Sequence, residues 1–148
     1  MFNNILIATD GSEVSAKAVA NGVVLARTFR ARITGVHVVQ FLYVAPAGGG
    51  HTTLSDSVQA QVREGALSDG NRYLDDIQKA AKAAGVPFER ALVENEPPWR
   101  AILETAREKG CDLIVMAAHG RRGIAALVVG SETNKVLTHA TIPVLVYR

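Results

Sequence analysis

The sequence predicts a single α/β domain in which a five-stranded parallel sheet carries helices on both faces, and three observations lead there. Short continuous apolar runs, among them Ile5-Leu6-Ile7-Ala8 and Leu113-Ile114-Val115-Met116, have the composition of strands buried on both faces. Longer segments with apolar residues at helical spacing alternate with them. Turn and cap residues such as Thr9-Asp10-Gly11-Ser12, Gly85, Gly110 and Gly130-Ser131 stand at the junctions. At 148 residues the chain fits one domain.

The first strand is Ile5 to Ala8. Thr9 to Ser12 turns the chain into a helix with Ser12 as N-cap and Ala16, Val19, Val23 and Ala26 at helical spacing up to Phe29-Arg30. The second strand, Arg32 to Val39, is rich in β-branched residues. From Gln40 to about Thr53 the periodicity dissolves around Gly48-Gly49-Gly50, a connection that is either a plain surface loop or a lid over a ligand. It is no Walker loop, because no Gly-Lys-Ser/Thr follows. A long helix from about Leu54 to Ala84 sets Val58, Val62, Tyr73, Ile77 and Ala81 on or near one stripe, and Gly85 stops it. The third strand is Pro87 to Val93. Pro97-Pro98 then opens a helix that turns Trp99, Ile102, Leu103 and Ala106 inward, and Gly110 closes it. The fourth strand, Leu113 to Met116, leads through a glycine-bearing loop to a helix with Ser131 as N-cap and Val136, Leu137 and Ala140 on one side. The last strand is Ile142 to Tyr147, and Pro143 implies an edge position or the strand's first residues.

In a sheet of this kind ligands sit beyond the carboxyl ends of the strands, where the strand order reverses. If the first and fourth strands are neighbours there, Asp10 and the stretch from Met116 to Ser131 share one crevice. That stretch has the parts of an anion site. Gly120, Gly123 and Gly130 let backbone approach a ligand, Arg121 and Arg122 add positive charge, and a helix N-terminus follows. Its other reading is an ordinary strand-to-helix loop with turn glycines. Asp10 likewise has two readings, a ribose ligand and a turn residue beside Gly11. His119 reads as a phosphate contact or as a packing residue, with acid–base chemistry a third role.

Composition excludes several classes. A net charge of +2 and no basic run longer than Arg121-Arg122 argue against a nucleic-acid partner. The only cysteine, Cys111, fits a reducing compartment and a packing role. The N-terminus has no signal-peptide pattern, and no apolar run approaches the ~20 residues that span a bilayer, so a cytoplasmic protein without membrane contact is expected. His37, His51 and His139 show no metal-ligand spacing, so no protein metal site is assigned. No catalytic residue is assigned either. A Walker lysine, a Ser-Gly-Gly-x-Asp-Ser loop and a carboxylate pair beside the glycines are all missing. Ala118-His-Gly120-Arg-Arg-Gly123 only imitates a dinucleotide fingerprint, lacking its first glycine and the acid about twenty residues on.

Taken with these residues, the chain resembles the universal stress protein family over essentially its whole length. The family signature Gly-x2-Gly-x9-Gly-Ser/Thr is matched by Ala117-x2-Gly120-x9-Gly130-Ser131, with His119-Gly120-Arg121-Arg122-Gly123 at its core. Ile7-Ala-Thr-Asp-Gly-Ser12 and Ile142-Pro-Val-Leu-Val146 match the family's usual ends. The resemblance implies a Rossmann-like domain with strand order 3-2-1-4-5. It also implies a stress-response regulatory protein that binds ATP, or AMP or ADP, as a homodimer joined through the C-terminal strand, about residues 142–148. Any Mg2+ would be held by the phosphates. Carried over by position, Asp10 meets the ribose, the main chain at Val38 meets adenine, and Gly120, Gly130 and Ser131 meet the phosphates. The whole candidate nucleotide-binding set is Ala8, Thr9, Asp10, Val38, Met116, Ala117, His119, Gly120, Arg121, Gly123, Gly130, Ser131, Glu132 and Thr133.

Two residues depart from the family pattern. Ala117 replaces a glycine that lies against the ribose, and a positive φ there would strain it by ~1–2 kcal/mol. Glu132 favours the helix dipole yet would repel a phosphate bound at the same turn, with Arg121 and Arg122 either offsetting it or simply solvated. These departures motivate the alternative of a dimeric interaction module that has lost nucleotide binding. A slow ATPase is the other.

Overall fold

The computed structural model describes residues 1–40, 56–119 and 129–148. The chain runs β1 (Asn4–Ala8), α1 (Glu13–Phe29), β2 (Arg32–Val39), α2 (Asp56–Ala83), β3 (Phe88–Glu94), α3 (Pro98–Glu108), β4 (Leu113–Ala117), α4 (Ser131–His139) and β5 (Val144–Tyr147). The five strands form one sheet in the order β3-β2-β1-β4-β5, with every pairing parallel. That is the class the sequence pattern predicts and the order the family resemblance implies.

Strand periodicity divides the core. Ile5 and Ile7 of β1, with Leu113 and Val115 of β4, face α1 and α2 in one buried cluster that includes Ala18, Leu74 and Ile77. Leu6 and Ala8, with Ile114 and Met116, face the other way into a cluster with Ile102, Ala106 and Val136. All five residues of β1 and of β4 are buried, as central strands covered on both faces must be. Each fully buried Ile or Leu contributes about 1.5–3 kcal/mol by leaving water. Cys111 belongs to the second cluster, and burial pushes its thiol pKa up despite a hydrogen bond with Thr34, which fits packing and not reactivity.

Local chemistry sets the helix ends. Ser12 caps α1, accepting from the Ser15 N–H at 3.2 Å. After α2 and α3 the chain turns at Gly85 and Gly110, both in the left-handed region. At the amino end of the sheet Asp112 gathers the start of β1, accepting from the main-chain N–H groups of Asn3 at 2.8 Å and Asn4 at 3.1 Å.

Three expectations need correction. Ser131 is not the N-cap of α4 but its first residue, because Gly130 holds the N-cap position in extended conformation and brings no side chain to it. Val58 and Val62 are 39% and 58% exposed, since it is the later part of α2, from Tyr73 to Ala81, that lies buried against the sheet. Leu137 is 44% exposed beside a fully buried Val136, because neighbouring helical positions diverge by about 100° and only one of them faces the core. Pro143 stands just before β5 and not among its residues, and β5 is an edge strand, so the edge reading of that proline holds. The glycine run Gly48-Gly49-Gly50 lies outside the described residues. No described helix is long and apolar enough to cross a membrane.

Candidate functional site

From β1 the chain crosses to β2 on one side, while β4 lies on the other, so the order reverses between β1 and β4. At the carboxyl ends of these strands opens a cleft of about 720 Å³. Its walls include Ala8, Thr9, Asp10, Val38, Met116, Ala117, His119, Gly130, Ser131, Glu132 and Thr133. Every described member of the candidate set therefore meets in one place. Gly120, Arg121 and Gly123 lie outside the described residues.

The turn after β1 is a small polar network. Thr9 Oγ1 accepts from the Gly11 N–H at 3.2 Å and lies 3.2 Å from Ser15 Oγ. Asp10 Oδ1 accepts from the Ser12 N–H at 3.0 Å, an Asx turn, so the turn role and the cleft position coexist in one carboxylate. His37 Nδ1 stands 2.8 Å from the Thr9 carbonyl, and an oxygen acceptor there assigns the proton to Nδ1. The ring of Tyr73 packs edge-on against His37 with centroids 5.2 Å apart.

Strand β2 outruns β1. The last β1 pairing is Ala8 with Val36, whose carbonyl accepts from the Thr9 N–H at 3.0 Å, whereas the Val39 carbonyl accepts from Asn95 on the β3 side at 3.0 Å. Main-chain groups of a strand alternate in direction, so those of Val38 point like Val36's, toward the side that β1 has vacated. A flat ligand with its own donors and acceptors can pair there.

At the opposite wall, Gly130 closes the loop against its own beginning. Its N–H donates to the Ala118 carbonyl at 2.7 Å, and a Cβ on Gly130 would stand 3.3 Å from that oxygen and 3.4 Å from His119 Cα. The glycine serves close backbone approach, its φ of −58° being open to any residue. Beyond it the first turn of α4 presents main-chain N–H groups that its N-cap glycine has no side chain to satisfy, the feature that draws anions.

Ala117 ends β4 in paired strand geometry opposite Tyr147, and it is not among the residues with positive φ. The strain considered for it does not arise. Thr133, buried, donates from its hydroxyl to the Ala117 carbonyl at 3.0 Å and so fastens α4 to β4. Glu132 Oε2 accepts from the Trp99 N–H at 3.0 Å, and its Oε1 accepts from Lys135 Nζ at 2.8 Å. Its charge is thus engaged within the protein.

A model of the universal stress protein family matches residues 1–148. The chain belongs to the universal stress protein family. Universal stress protein YxiE of Bacillus subtilis (strain 168) is 33% identical over 149 residues, covering 100% of both chains. Among solved structures, universal stress protein UspA from Lactobacillus plantarum superposes with a TM-score of 0.80 at 25% identity, over 99% of this chain and 97% of that one. A universal stress protein solved in complex with cAMP shares 24% identity with a TM-score of 0.70, over 99% of this chain and 97% of that one.

Sequence reasoning missed several walls of the cleft in this universal stress protein. His37, Asp69, Tyr73, Pro97, Pro98 and Lys135 all line it. Asp69 and Tyr73 come from α2, whose helical pattern says which face is apolar and not which turn lies over the first strand's end. Lys135 carried a signal, standing one turn beyond Ser131 on the same helix. Asp69 is paired with Arg72 at 2.7 Å and Glu132 with Lys135 at 2.8 Å, so two of the acids that line the cleft carry a counter-charge of their own.

Proposed function

We propose that this universal stress protein binds an adenine nucleotide, ATP, ADP or AMP, in the cleft between the carboxyl ends of β1 and β4. The observation that supports this reading is the pairing of an α4 N-terminus that opens on a glycine cap with Asp10 across the point where the strand order reverses. Asp10 takes ribose hydroxyls, the main chain at Val38 takes adenine, and Gly130 and Ser131, joined by Gly120, take the phosphates. Any Mg2+ arrives with the phosphates. The family relative crystallised with cAMP is consistent in kind, and the assignment to this chain rests on its own residues.

The function is regulatory: occupancy of the cleft alters the partner-binding surface of a homodimer formed through residues 142–148. Edge position and the 41% exposure of Leu145 support that interface. A cytoplasmic location is part of the same reading, supported by a single buried cysteine. Thermal unfolding with and without nucleotide tests it. A binder gains about 2.7 kcal/mol at a hundredfold excess over its dissociation constant. An unchanged melting temperature in millimolar ATP, ADP and AMP rejects nucleotide binding in favour of an interaction module, and hydrolysis well above about 1 s⁻¹ rejects the regulatory reading in favour of an enzyme.

A further inference from the structure

Trp99 grips helix α4 at both ends. Its main-chain N–H donates to Glu132, the second residue of α4, at 3.0 Å, and its ring lies against His139, the last residue of α4, with centroids 4.9 Å apart. Helix α3 supplies no cap of its own, because its N-cap is Pro97, whose side chain makes no cap hydrogen bond. A carboxylate from a neighbouring helix fills that vacancy. The bond is charge-assisted and sits at the positive end of the α3 dipole. Pro97 and Pro98 line the same cleft as Ser131 and Glu132, so this single hydrogen bond joins two of its walls.

We propose that Glu132 is a positioning residue, which caps α3 from inside the first turn of α4 and thereby fixes where the phosphate-facing N–H groups of α4 stand. The inference rests on the adenine-nucleotide reading and inverts what the sequence suggested for Glu132. Its carboxylate does not stand idle beside the phosphate. Trp99, the α3 dipole and Lys135 absorb its charge, and its acceptor geometry is what binding uses.

Adenosine, AMP and ATP are titrated calorimetrically into the wild type, Glu132→Gln and Glu132→Ala, with folding checked by circular dichroism. Glu132→Ala loses about tenfold in affinity for AMP and ATP, the order expected for one charge-assisted hydrogen bond, and none for adenosine, which brings no phosphate. Glu132→Gln, whose amide oxygen still accepts from the Trp99 N–H, stays within about threefold of the wild type. In the ligand-free protein the Trp99 amide exchanges faster in Glu132→Ala and not in Glu132→Gln. An equal loss for adenosine and ATP, or an equal loss in both variants, overturns the positioning role. Wild-type binding that Glu132→Ala leaves intact overturns it alone, whereas failure of all three ligands on the wild type removes the nucleotide reading and this inference together.

Discussion

The ring of Tyr73 fills the space that a side chain on Gly11 would need. A Cβ at Gly11 would stand 2.2 Å from Tyr73 Cε1, and Gly11 adopts a φ of +74°. Two independent constraints therefore select glycine beside Asp10. Gly11→Ala is expected to cost about 1–2 kcal/mol from the left-handed backbone, with displacement of the buried ring added to it. Urea denaturation measures the sum, and a variant as stable as the wild type would contradict the packing described.

The hydroxyl of Thr133 holds α4 to the end of β4. Thr133→Val keeps the shape but leaves the Ala117 carbonyl without its donor in a site where Thr133 is 4% exposed. The expected loss is about 1–3 kcal/mol, largely absent in Thr133→Ser, which keeps the donor. Comparing the two midpoints in denaturant separates lost bonding from lost packing.

At Gly130 stability and binding should part company. The residue sits in the extended conformation that aspartate adopts at helix N-caps, so Gly130→Asp satisfies the α4 N–H groups at the cost of a tight contact with Ala118 and His119. The same carboxylate occupies the groups offered to phosphate. Nucleotide affinity should fall at least about tenfold while the melting temperature changes little. Retained ATP binding in a folded Gly130→Asp protein would move the phosphate site elsewhere.

Acid should loosen the amino end of the sheet through Asp112. Burial raises the Asp112 carboxyl, but hydrogen bonds from the main chain of Asn3 and Asn4 and from the Asn3 side chain outweigh it and hold the pKa below its ordinary 3.8. The folded protein thus binds this proton less readily than the unfolded chain. The stabilisation is complete above the ordinary value and drains away as pH falls through the lowered one. Asp112→Asn should be less stable near neutrality and lose less on acidification. Melting temperatures from about pH 6 to pH 2 compare the two slopes, and parallel curves would exclude Asp112 as the source.

The edge strand offers a test of assembly. Leu145→Arg puts charge on the exposed face of β5 without removing a strand, whereas deleting residues 143–148 removes the partner of β4. Sedimentation should show a wild-type dimer and a monomeric, folded Leu145→Arg protein. The deletion should yield a monomer or an insoluble chain. A dimer that survives both changes uses another surface.

Much of the architecture was legible because it depends on short-range pattern. The apolar runs of β1 and β4, the helical spacing in α1 and α3, and the turn residues at Ser12, Gly85 and Gly110 each act over a few positions, and element order followed from them. Asp10 and the Gly130-Ser131 pair were legible for the same reason. What misled was pattern without a partner: Val58, Val62 and Leu137 have the right spacing, yet they stay 39%, 58% and 44% exposed. Ser131 read as a cap from its type alone, while the backbone at Gly130 decides which residue starts the helix.

By itself the sequence determined the α/β class, the succession of elements, the family, and the residues around which a cleft would form. Tertiary structure decided what those residues touch. Glu132 meets Trp99 across 33 positions, Thr133 meets Ala117 across 16, and Tyr73 of α2 covers Gly11 in the turn after β1. Hydrogen bonds and close contacts act over a few ångströms in space and are indifferent to separation along the chain. A carboxylate that looks like a repulsive charge in sequence becomes a helix cap once two helices pack side by side.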